Sequence, residues 1–202
     1  MTTKFLAISD IHGDTSLIKR LAEKAENEKI DIVILAGDLT WMERSIENLV
    51  GPFIKNKNRK VLLLHGNHES IATINFLSEM YPDTKNMHAY SIKHNNIGIF
   101  GVGGADLGRE PMSEKNFADA LEKAHAYLKN VEKKILISHM HPSNTHSEFS
   151  GFPGSTSIRD AIERFQPDIA ICGHIHEASG IEETIGKTRV INVSRKEVVF
   201  EI

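Results

Sequence analysis

Short, nearly continuous apolar runs recur along the chain and constrain its fold more than any other feature. Six of them are Phe5 to Ile8, Ile32 to Leu35, Val61 to Leu64, Ile97 to Phe100, Ile135 to Ile137 and Ile169 to Ile171. Such runs are typical of strands buried on both faces. Helical patterns lie between them, at about 14 to 28, 42 to 50, 70 to 80, 113 to 130 and 156 to 165. This alternation predicts an α/β fold.

The last segment of the sequence has a different pattern. Residues 187 to 193 and 197 to 202 alternate in polarity like half-exposed strands, with a polar turn at 194 to 196. The pattern predicts a hairpin and therefore a second, partly antiparallel sheet. Two mixed sheets packed face to face and flanked by helices form a four-layer α/β/β/α sandwich, which is the architecture we expect.

Composition and charge exclude several classes of protein. With 202 residues, of which 40% are hydrophobic and 25% charged, the chain fits one globular domain spanning residues 1 to 202. A net charge of −3 provides no field to attract polyanions, so we expect no stable nucleic-acid binding and no membrane partner. Lone Cys172 excludes an internal disulfide, and no leader or membrane-spanning stretch is evident, which together predict a cytoplasmic protein.

Polar motifs follow five of the apolar runs. They are Asp10-Ile11-His12, Gly37-Asp38, Gly66-Asn67-His68-Glu69, Ser138-His139 and Gly173-His174-Ile175-His176. Each is weak alone, because an Asp after a strand is often a helix cap or turn residue and a lone His is more often packed or solvated. Strand ends of open α/β sheets meet where ligands bind, so together the motifs predict a site for two adjacent divalent ions.

The spacing within each motif suggests how the ligands are used. Alternate residues of an extended segment share one side, so Asp10 with His12, and His174 with His176, can face the ions. The carboxylate of Asp38 can bridge two ions, and Asn67 offers a neutral oxygen. His68 and Glu69 are treated separately: His68 can face a substrate, and Glu69 is expected in the first turn of a helix, where it matches the dipole.

The remaining candidates carry less information. The other histidines, at 65, 88, 94, 125, 141 and 146, are expected to be structural or solvated, with only His141 and His146 as candidates for contacts at the rim of the site. No Ser or Cys nucleophile is evident, since Cys172 lies in an apolar strand and Ser138 precedes a candidate ligand. Arg44, Arg109, Arg159 and Arg195 are not assigned to a substrate.

In their order, the motifs resemble the signature of the calcineurin-like metallophosphoesterases, which include purple acid phosphatases, Ser/Thr phosphatases, cyclic-nucleotide phosphodiesterases and DNA-repair nucleases. The resemblance covers residues 4 to 193. The stretch from Gly173 to Glu177, with Ser179-Gly180 and Gly186 to Thr188 after it, is similar to a prokaryotic group of small phosphoesterases related to the bacterial cyclic-AMP phosphodiesterase.

The resemblance implies a dinuclear centre bridged by Asp38. It implies one ion held by Asp10, His12, Asp38 and His176, and a second held by Asp38, Asn67, His139 and His174. Mn, Fe and Zn all suit these ligands, and Mn is favoured. Ions about 3.5 to 4 Å apart can share a hydroxide that attacks phosphorus. Protonated His68 would be the catalytic group that stabilises charge or protonates the leaving oxygen.

One departure from the family pattern is visible. Where the family commonly has Asn-Pro-Gly after the last core strand, this chain has Asn192-Val193-Ser194. We expect Asn192 to keep a packing or hydrogen-bonding role.

Three functions are compatible with these motifs. The first is a metal-dependent hydrolase of phosphoesters, more specifically a phosphodiesterase acting on a nucleotide-like or other small phosphoester, since long insertions for docking a protein substrate are lacking. The alternative is a non-catalytic protein-interaction module on the same fold, as in the retromer subunit that resembles these enzymes. Retention of His68 and of all seven ligands argues against it. A mononuclear structural zinc site is disfavoured, because such sites prefer Cys.

Overall fold

Two β-sheets lie face to face between layers of helices in the computed structural model, which describes residues 2–44, 46–55 and 59–202. The strands are β1 (Lys4–Ile8), β2 (Ile32–Ala36), β3 (Lys60–Leu64), β4 (Thr84–Asn86), β5 (Tyr90–His94), β6 (Ile97–Val102), β7 (Lys133–Ser138), β8 (Ile169–Cys172), β9 (Glu182–Ile185), β10 (Thr188–Asn192) and β11 (Val198–Glu201). The helices are α1 (Thr15–Asn27), α2 (Ile71–Met80), α3 (Glu114–Ala126) and α4 (Thr156–Phe165), with short 3₁₀ helices at Gly51–Lys55, His146–Ser150 and His176–Ala178.

Both sheets are mixed, with parallel strands at their centres. Sheet 1 has the order β11-β1-β2-β3-β4, and only β11 runs antiparallel to its neighbour. Sheet 2 has the order β5-β6-β7-β8-β10-β9, with antiparallel pairing at the two edge strands β5 and β9. The parallel strands therefore direct their carboxyl ends, and the loops that follow them, toward one end of each sheet.

Burial on both faces explains the continuous apolar runs. Every residue of β2 is buried, because one face of sheet 1 packs against sheet 2 and the other against helices. Phe5, Leu62, Ile99 and Ile137 belong to the layer between the sheets. Helices α1 and α2 cover the outer face of sheet 1, and α3 and α4 cover that of sheet 2. The predicted four-layer sandwich is confirmed.

Side-chain caps define where the helices begin. Asp14 accepts a hydrogen bond from the backbone N–H of Leu17 at the start of α1, and Ser155 does the same for Ile158 at the start of α4. The helix expected over 113 to 130 is shorter and ends at Ala126. Within the described residues, none of the helices combines the length and the apolar character needed to cross a membrane.

The prediction of a helix over residues 42 to 50 is wrong. The described part of this segment forms turns, and Ser45 lies outside the described residues. Met42, Glu43 and Asn48 have φ values of 54°, 60° and 61°, which an α-helix of L-residues cannot accommodate.

The prediction of a C-terminal hairpin is also wrong, because the two predicted strands lie in different sheets. β10 pairs with β8 and β9 in sheet 2, whereas β11 pairs antiparallel with β1 in sheet 1. The polar segment between them crosses from one sheet to the other. A hydrogen bond from the backbone N–H of Arg195 to the carbonyl oxygen of Ser9, at 2.9 Å, anchors this segment. β10 instead forms an antiparallel hairpin with β9, a strand that was not predicted.

Candidate metal centre

All five motifs lie together at the carboxyl ends of the parallel strands. Sheet 1 positions the loops after β1, β2 and β3, and sheet 2 positions those after β7 and β8. The structure thereby brings together the residues singled out from the sequence: Asp10, His12, Asp38, Asn67, His68, His139, His174 and His176.

Strained backbone marks these loops. Asp10, His12, Asp38 and His174 have φ values of 58°, 50°, 52° and 72°, in the left-handed region that non-glycine residues seldom adopt. Hydrogen bonds between loops maintain this conformation, since the N–H of Asp10 donates to Gly37 at 3.0 Å and that of His12 to Asp38 at 2.9 Å. Such strain concentrates at functional sites, where the surrounding structure enforces it.

Glycines in the motifs allow the loops to approach one another closely. A Cβ on Gly66 would lie 2.0 Å from Oδ1 of Asp38, and one on Gly37 would lie 2.4 Å from Nδ1 of His139. A Cβ on Gly173 would lie 2.8 Å from Oδ2 of Asp10. Side chains at these positions would therefore displace the candidate ligands.

One group of ligand atoms gathers around Asp10. Its Oδ1 lies 3.2 Å from Nε2 of His176, and Nε2 of His12 lies 3.2 Å from the same nitrogen. Nε2 of His12 also lies 3.8 Å from Oδ2 of Asp38. These are the four residues that the family resemblance assigns to the first ion.

A second group gathers around Asn67. Its Oδ1 lies 3.1 Å from Nε2 of His139 and 3.0 Å from Nδ1 of His174. Nε2 of His139 lies 3.6 Å from Oδ1 of Asp38. The two oxygens of Asp38 thus face different groups, Oδ2 toward the first and Oδ1 toward the second, as a bridging carboxylate would.

Hydrogen bonding at His139 shows that this arrangement suits a cation. Its Nδ1 lies 3.0 Å from the carbonyl oxygen of Ala36, which can only accept, so Nδ1 carries a proton. In the neutral ring, Nε2 then presents a lone pair to the oxygens of Asn67 and Asp38. Lone pairs that face one another at these distances need a proton or a metal ion between them, so the donor set fits a metal.

The pKa values follow from burial and from these contacts. Burial lowers the pKa of His174 to about 3 and also lowers that of His12, so both rings are neutral at pH 7 and can offer lone pairs. Burial alone would raise the pKa of Asp10, but the hydrogen bond from His176 and the charge of His139 hold it well below its usual range. The hydrogen bond to Asp10 in turn raises the pKa of His176.

His68 lies beside the ligand groups, and an indole packs against it. Its Nε2 is 3.8 Å from Oδ2 of Asp38, and its backbone N–H donates to Oδ1 of Asp38 at 3.0 Å. The ring centroids of His68 and Trp41 are 4.5 Å apart. Sequence reasoning missed Trp41, although the residue is the only tryptophan of the chain and follows Asp38 by three positions.

The prediction for Glu69 is wrong. Helix α2 begins at Ile71 after its cap Ser70, so Glu69 precedes the helix, and it is fully buried. Its carboxyl group accepts hydrogen bonds from the N–H of Leu39 at 3.0 Å and the N–H of Gly66 at 3.3 Å. Burial and the charge of Asp38 raise its pKa to about 8. Glu69 ties the loop after β2 to the loop after β3.

The two histidines considered for the rim have different surroundings. His141 is fully buried, and its ring stacks on that of His174 at a centroid distance of 6.3 Å, so it lies beneath the site and not at its rim. His146 is exposed and pairs with Glu183 at 3.1 Å.

Asn192 has the hydrogen-bonding role expected of it. The side chain is buried, and its Oδ1 accepts from the N–H of Ser194 at 2.9 Å. Its Nδ2 donates at 3.4 Å to the carbonyls of Gly173 and Ile175, the segment that carries His174. Asn192 therefore fixes the last motif without the Pro-Gly that commonly follows it.

With this geometry in place, comparison with known proteins identifies the family. Residues 3–178 match the sequence profile of the calcineurin-like phosphoesterases. The chain belongs to this family. Membership implies a metal-dependent phosphoester hydrolase with a dinuclear centre of divalent ions, and the clustered His and Asp side chains could hold them. No curated protein sequence matches this chain.

Solved structures share the fold of this phosphoesterase at low sequence identity. TT1561 of Thermus thermophilus has a TM-score of 0.76 at 18% identity, over 95% of this chain and 89% of that one. GAP50, described as the anchor in the inner membrane complex of Plasmodium, has a TM-score of 0.64 at 12% identity, over 96% and 71%. An archaeal phosphodiesterase has a TM-score of 0.54 at 17% identity, over 94% and 82%. These likenesses show the fold alone.

Proposed function

We propose that the protein is a cytoplasmic phosphodiesterase that hydrolyses a small, nucleotide-like phosphoester with two divalent ions, of which Mn is favoured. The position of Asp38 carries this proposal. Its two carboxylate oxygens face separate ligand groups, with Nε2 of His68 only 3.8 Å from one of them. A shared carboxylate next to an imidazole that no ion requires is the arrangement a two-metal hydrolase needs.

The ligand assignment follows the two groups. We assign Asp10, His12, Asp38 and His176 to one ion, and Asp38, Asn67, His139 and His174 to the other. Mixed nitrogen and oxygen ligands favour Mn, Fe or Zn over Ca. When bound, such a pair of ions supplies an activated water and neutralises charge on the phosphate oxygens.

The chain's own groups supply the rest of the chemistry. Protonated, His68 donates a hydrogen bond from Nε2 to the phosphate or delivers its proton to the departing oxygen. The strained loops hold the ligand side chains before substrate arrives, so little reorganisation is required during the reaction. Neither Cys172 nor Ser138 serves as a nucleophile, because both are buried in strands of sheet 2.

Three observations support a small diester as the substrate class. Within the described residues, the loops around the site contain no inserted domain that could dock a protein substrate. A solved archaeal phosphodiesterase shares the fold over 94% of this chain. The net charge of −3 also leaves recognition of an anionic substrate to the site itself.

Hydrolysis of two chromogenic esters tests the proposal. The purified protein, freed of metal and then supplied with Mn²⁺, Fe²⁺ or Zn²⁺, is assayed on bis(p-nitrophenyl) phosphate and on p-nitrophenyl phosphate. We expect a larger kcat/KM for the diester, restored best by Mn²⁺. Tyr127→Ala changes an exposed residue at the end of α3 and is the matched control, expected to keep the parent rates.

Two outcomes would contradict parts of the proposal. Preference for the monoester would make the protein a phosphomonoesterase and reject the substrate class. Protein that binds two ions per chain but hydrolyses neither ester would instead indicate a non-catalytic module on this fold.

A further inference from the structure

Trp41 occupies an unusual position for a large apolar side chain. It is 53% exposed, yet its ring centroid lies 4.5 Å from that of His68 at an interplanar angle of 36°. The same indole lies 5.2 Å from the ring of His12. An aromatic ring left half in solvent beside a candidate catalytic group indicates a role other than core packing.

His68 lacks the hydrogen bond that usually orients a catalytic imidazole. Such a ring is commonly fixed through the nitrogen opposite the working one. In the part of the chain that the structure describes, Nδ1 of His68 is buried and has no hydrogen-bond partner. The ring is confined instead by aromatic faces, with Trp41 on one side and His12 at a centroid distance of 4.7 Å in an edge-on arrangement.

The turn that carries Trp41 is held firmly against the same region. The carboxylate of Glu43 accepts from the N–H of Ser70 at 2.8 Å and from the hydroxyl of Thr73 at 2.7 Å, at the start of α2. Arg109 pairs with its other oxygen at 2.8 Å. Since α2 directly follows the motif that contains His68, these contacts fix the indole relative to the imidazole.

We propose that Trp41 is the positioning residue for His68, and that its indole face replaces the missing hydrogen bond at Nδ1. Packing of this kind holds the plane of the ring fixed, with Nε2 at 3.8 Å from Oδ2 of Asp38. The inference rests on the catalytic role proposed for His68 and adds to it the residue that orients the ring.

Kinetics of single and double variants test the positioning role. Trp41→Ala, Trp41→Phe, His68→Ala and the double variant of the two alanine changes are assayed on bis(p-nitrophenyl) phosphate and on diphenyl phosphate, whose leaving group is poorer. We expect Trp41→Ala to lower kcat by about 10-fold or more, a part of the 10²- to 10⁴-fold attributed to a general acid. The loss of kcat on diphenyl phosphate relative to that on bis(p-nitrophenyl) phosphate should be the same for Trp41→Ala as for His68→Ala. The metal content of Trp41→Ala should equal that of the parent.

Two further expectations separate positioning from a structural role. Trp41→Phe, which keeps an aromatic face, should recover most of the parent kcat. In the His68→Ala variant, the additional Trp41→Ala change should lower kcat by less than about 3-fold, because the effects of residues that act as a unit are not additive. Parent-like kcat in Trp41→Ala, or additive losses in the double variant, would overturn the proposal while leaving the phosphoesterase function intact.

Fluorescence gives a readout that does not depend on hydrolysis. Trp41 is the only tryptophan, so the emission of the protein reports its surroundings alone. We expect His68→Ala to change the emission intensity of metal-free protein, and His94→Ala, at the opposite end of sheet 2, to leave it unchanged. Unchanged emission in His68→Ala would overturn the packing even if no ester were hydrolysed, whereas inactivity of the parent alone would reject only the proposed function.

Discussion

The two sheets bring different chemistry to the same site. The loops of sheet 1 supply both carboxylates and the amide, at Asp10, Asp38 and Asn67, together with His12 and His68. The loops of sheet 2 supply only imidazoles, and those contact sheet 1 oxygens: His176 reaches Asp10 at 3.2 Å, and the other two reach Asn67. Sheet 1 therefore provides the negative charge at the candidate metal centre, and sheet 2 provides imidazole nitrogens that could complete the coordination of a metal ion.

The largest effect is expected from the carboxylate that both ligand groups share. Asp38→Asn removes charge from both proposed ion sites, so metal and hydrolysis should be lost together, to the background rate. His139→Gln, a change on sheet 2, should empty only the second site. Elemental analysis of both variants checks this difference. Two ions retained in Asp38→Asn would reject the bridging assignment.

A large effect of another kind is expected at His68. This residue belongs to sheet 1 but to neither assigned ion, so His68→Ala should keep two ions while kcat falls by about 10²- to 10⁴-fold. Single-turnover hydrolysis together with metal analysis separates the two quantities. Loss of metal from this variant would show instead that the imidazole is a ligand.

A smaller effect is expected where a glycine supports the sheet 1 ligands. A Cβ at Gly66 would lie 2.0 Å from Oδ1 of Asp38, so Gly66→Ala must displace that carboxylate. Activity should fall roughly 10- to 100-fold, as when a group supporting a metal ligand is lost. Gly51→Ala is the control, since a Cβ there would make only an ordinary contact with the ring of Tyr81 at 3.5 Å, and the activity of this variant in a titration with Mn²⁺ should match that of the parent.

The smallest effect is expected on stability, from the hydrogen bonds that anchor the loops of sheet 1 and of sheet 2. Glu43 clamps a sheet 1 loop through an ionised carboxylate, whereas the neutral amide of Asn192 fastens a loop of sheet 2. Hydrogen bonds from Ser70 and Thr73 lower the pKa of Glu43 to about 2, from an ordinary value of 4.5. Its stabilising contribution is thus present above pH 4.5 and is lost as the pH falls toward 2.

Urea unfolding at several pH values measures this contribution. Glu43→Gln should lower the free energy of unfolding by about 1 kcal/mol at pH 7, and the difference from the parent should shrink as the pH falls below 4.5. Glu163→Gln, which alters an exposed ion pair within α4, should show little difference at any pH. A Glu43→Gln difference that stayed constant down to about pH 3 would show that the clamp does not depend on charge.

Local pattern was sufficient to predict the layers and to single out the polar residues that the structure brings together at the strand ends. The six apolar runs all became strands because burial on both faces requires uninterrupted apolar sequence, as in β2. The motifs at Asp38, Asn67 and His174 were recognisable because each follows such a strand directly. Because the carboxyl ends of parallel strands lie at one end of a sheet, the motifs could be predicted to meet even though the conformation of the loops was not known.

Features set by distant contacts could not be predicted. Residues 42 to 50 have an acceptable helical pattern, but the side chain of Glu43 bonds to Ser70 and Thr73, and the backbone there is left-handed. The alternation of residues 197 to 202 identified a strand but not its partner, since both sheets offered an edge. Nothing in the sequence near Trp41 indicated that its ring would meet His68.

The pairing of β1 with β11 imposes an order on biosynthesis. Lys4 lies opposite Glu201 in this ladder, so strand β1 leaves the ribosome long before β11 and acquires this outer neighbour only after nearly two hundred further residues have been translated. Until then, the edge of β1 is open to unwanted pairing with other chains. Completion of the sheet that carries the carboxylates must therefore wait until translation has passed residue 201.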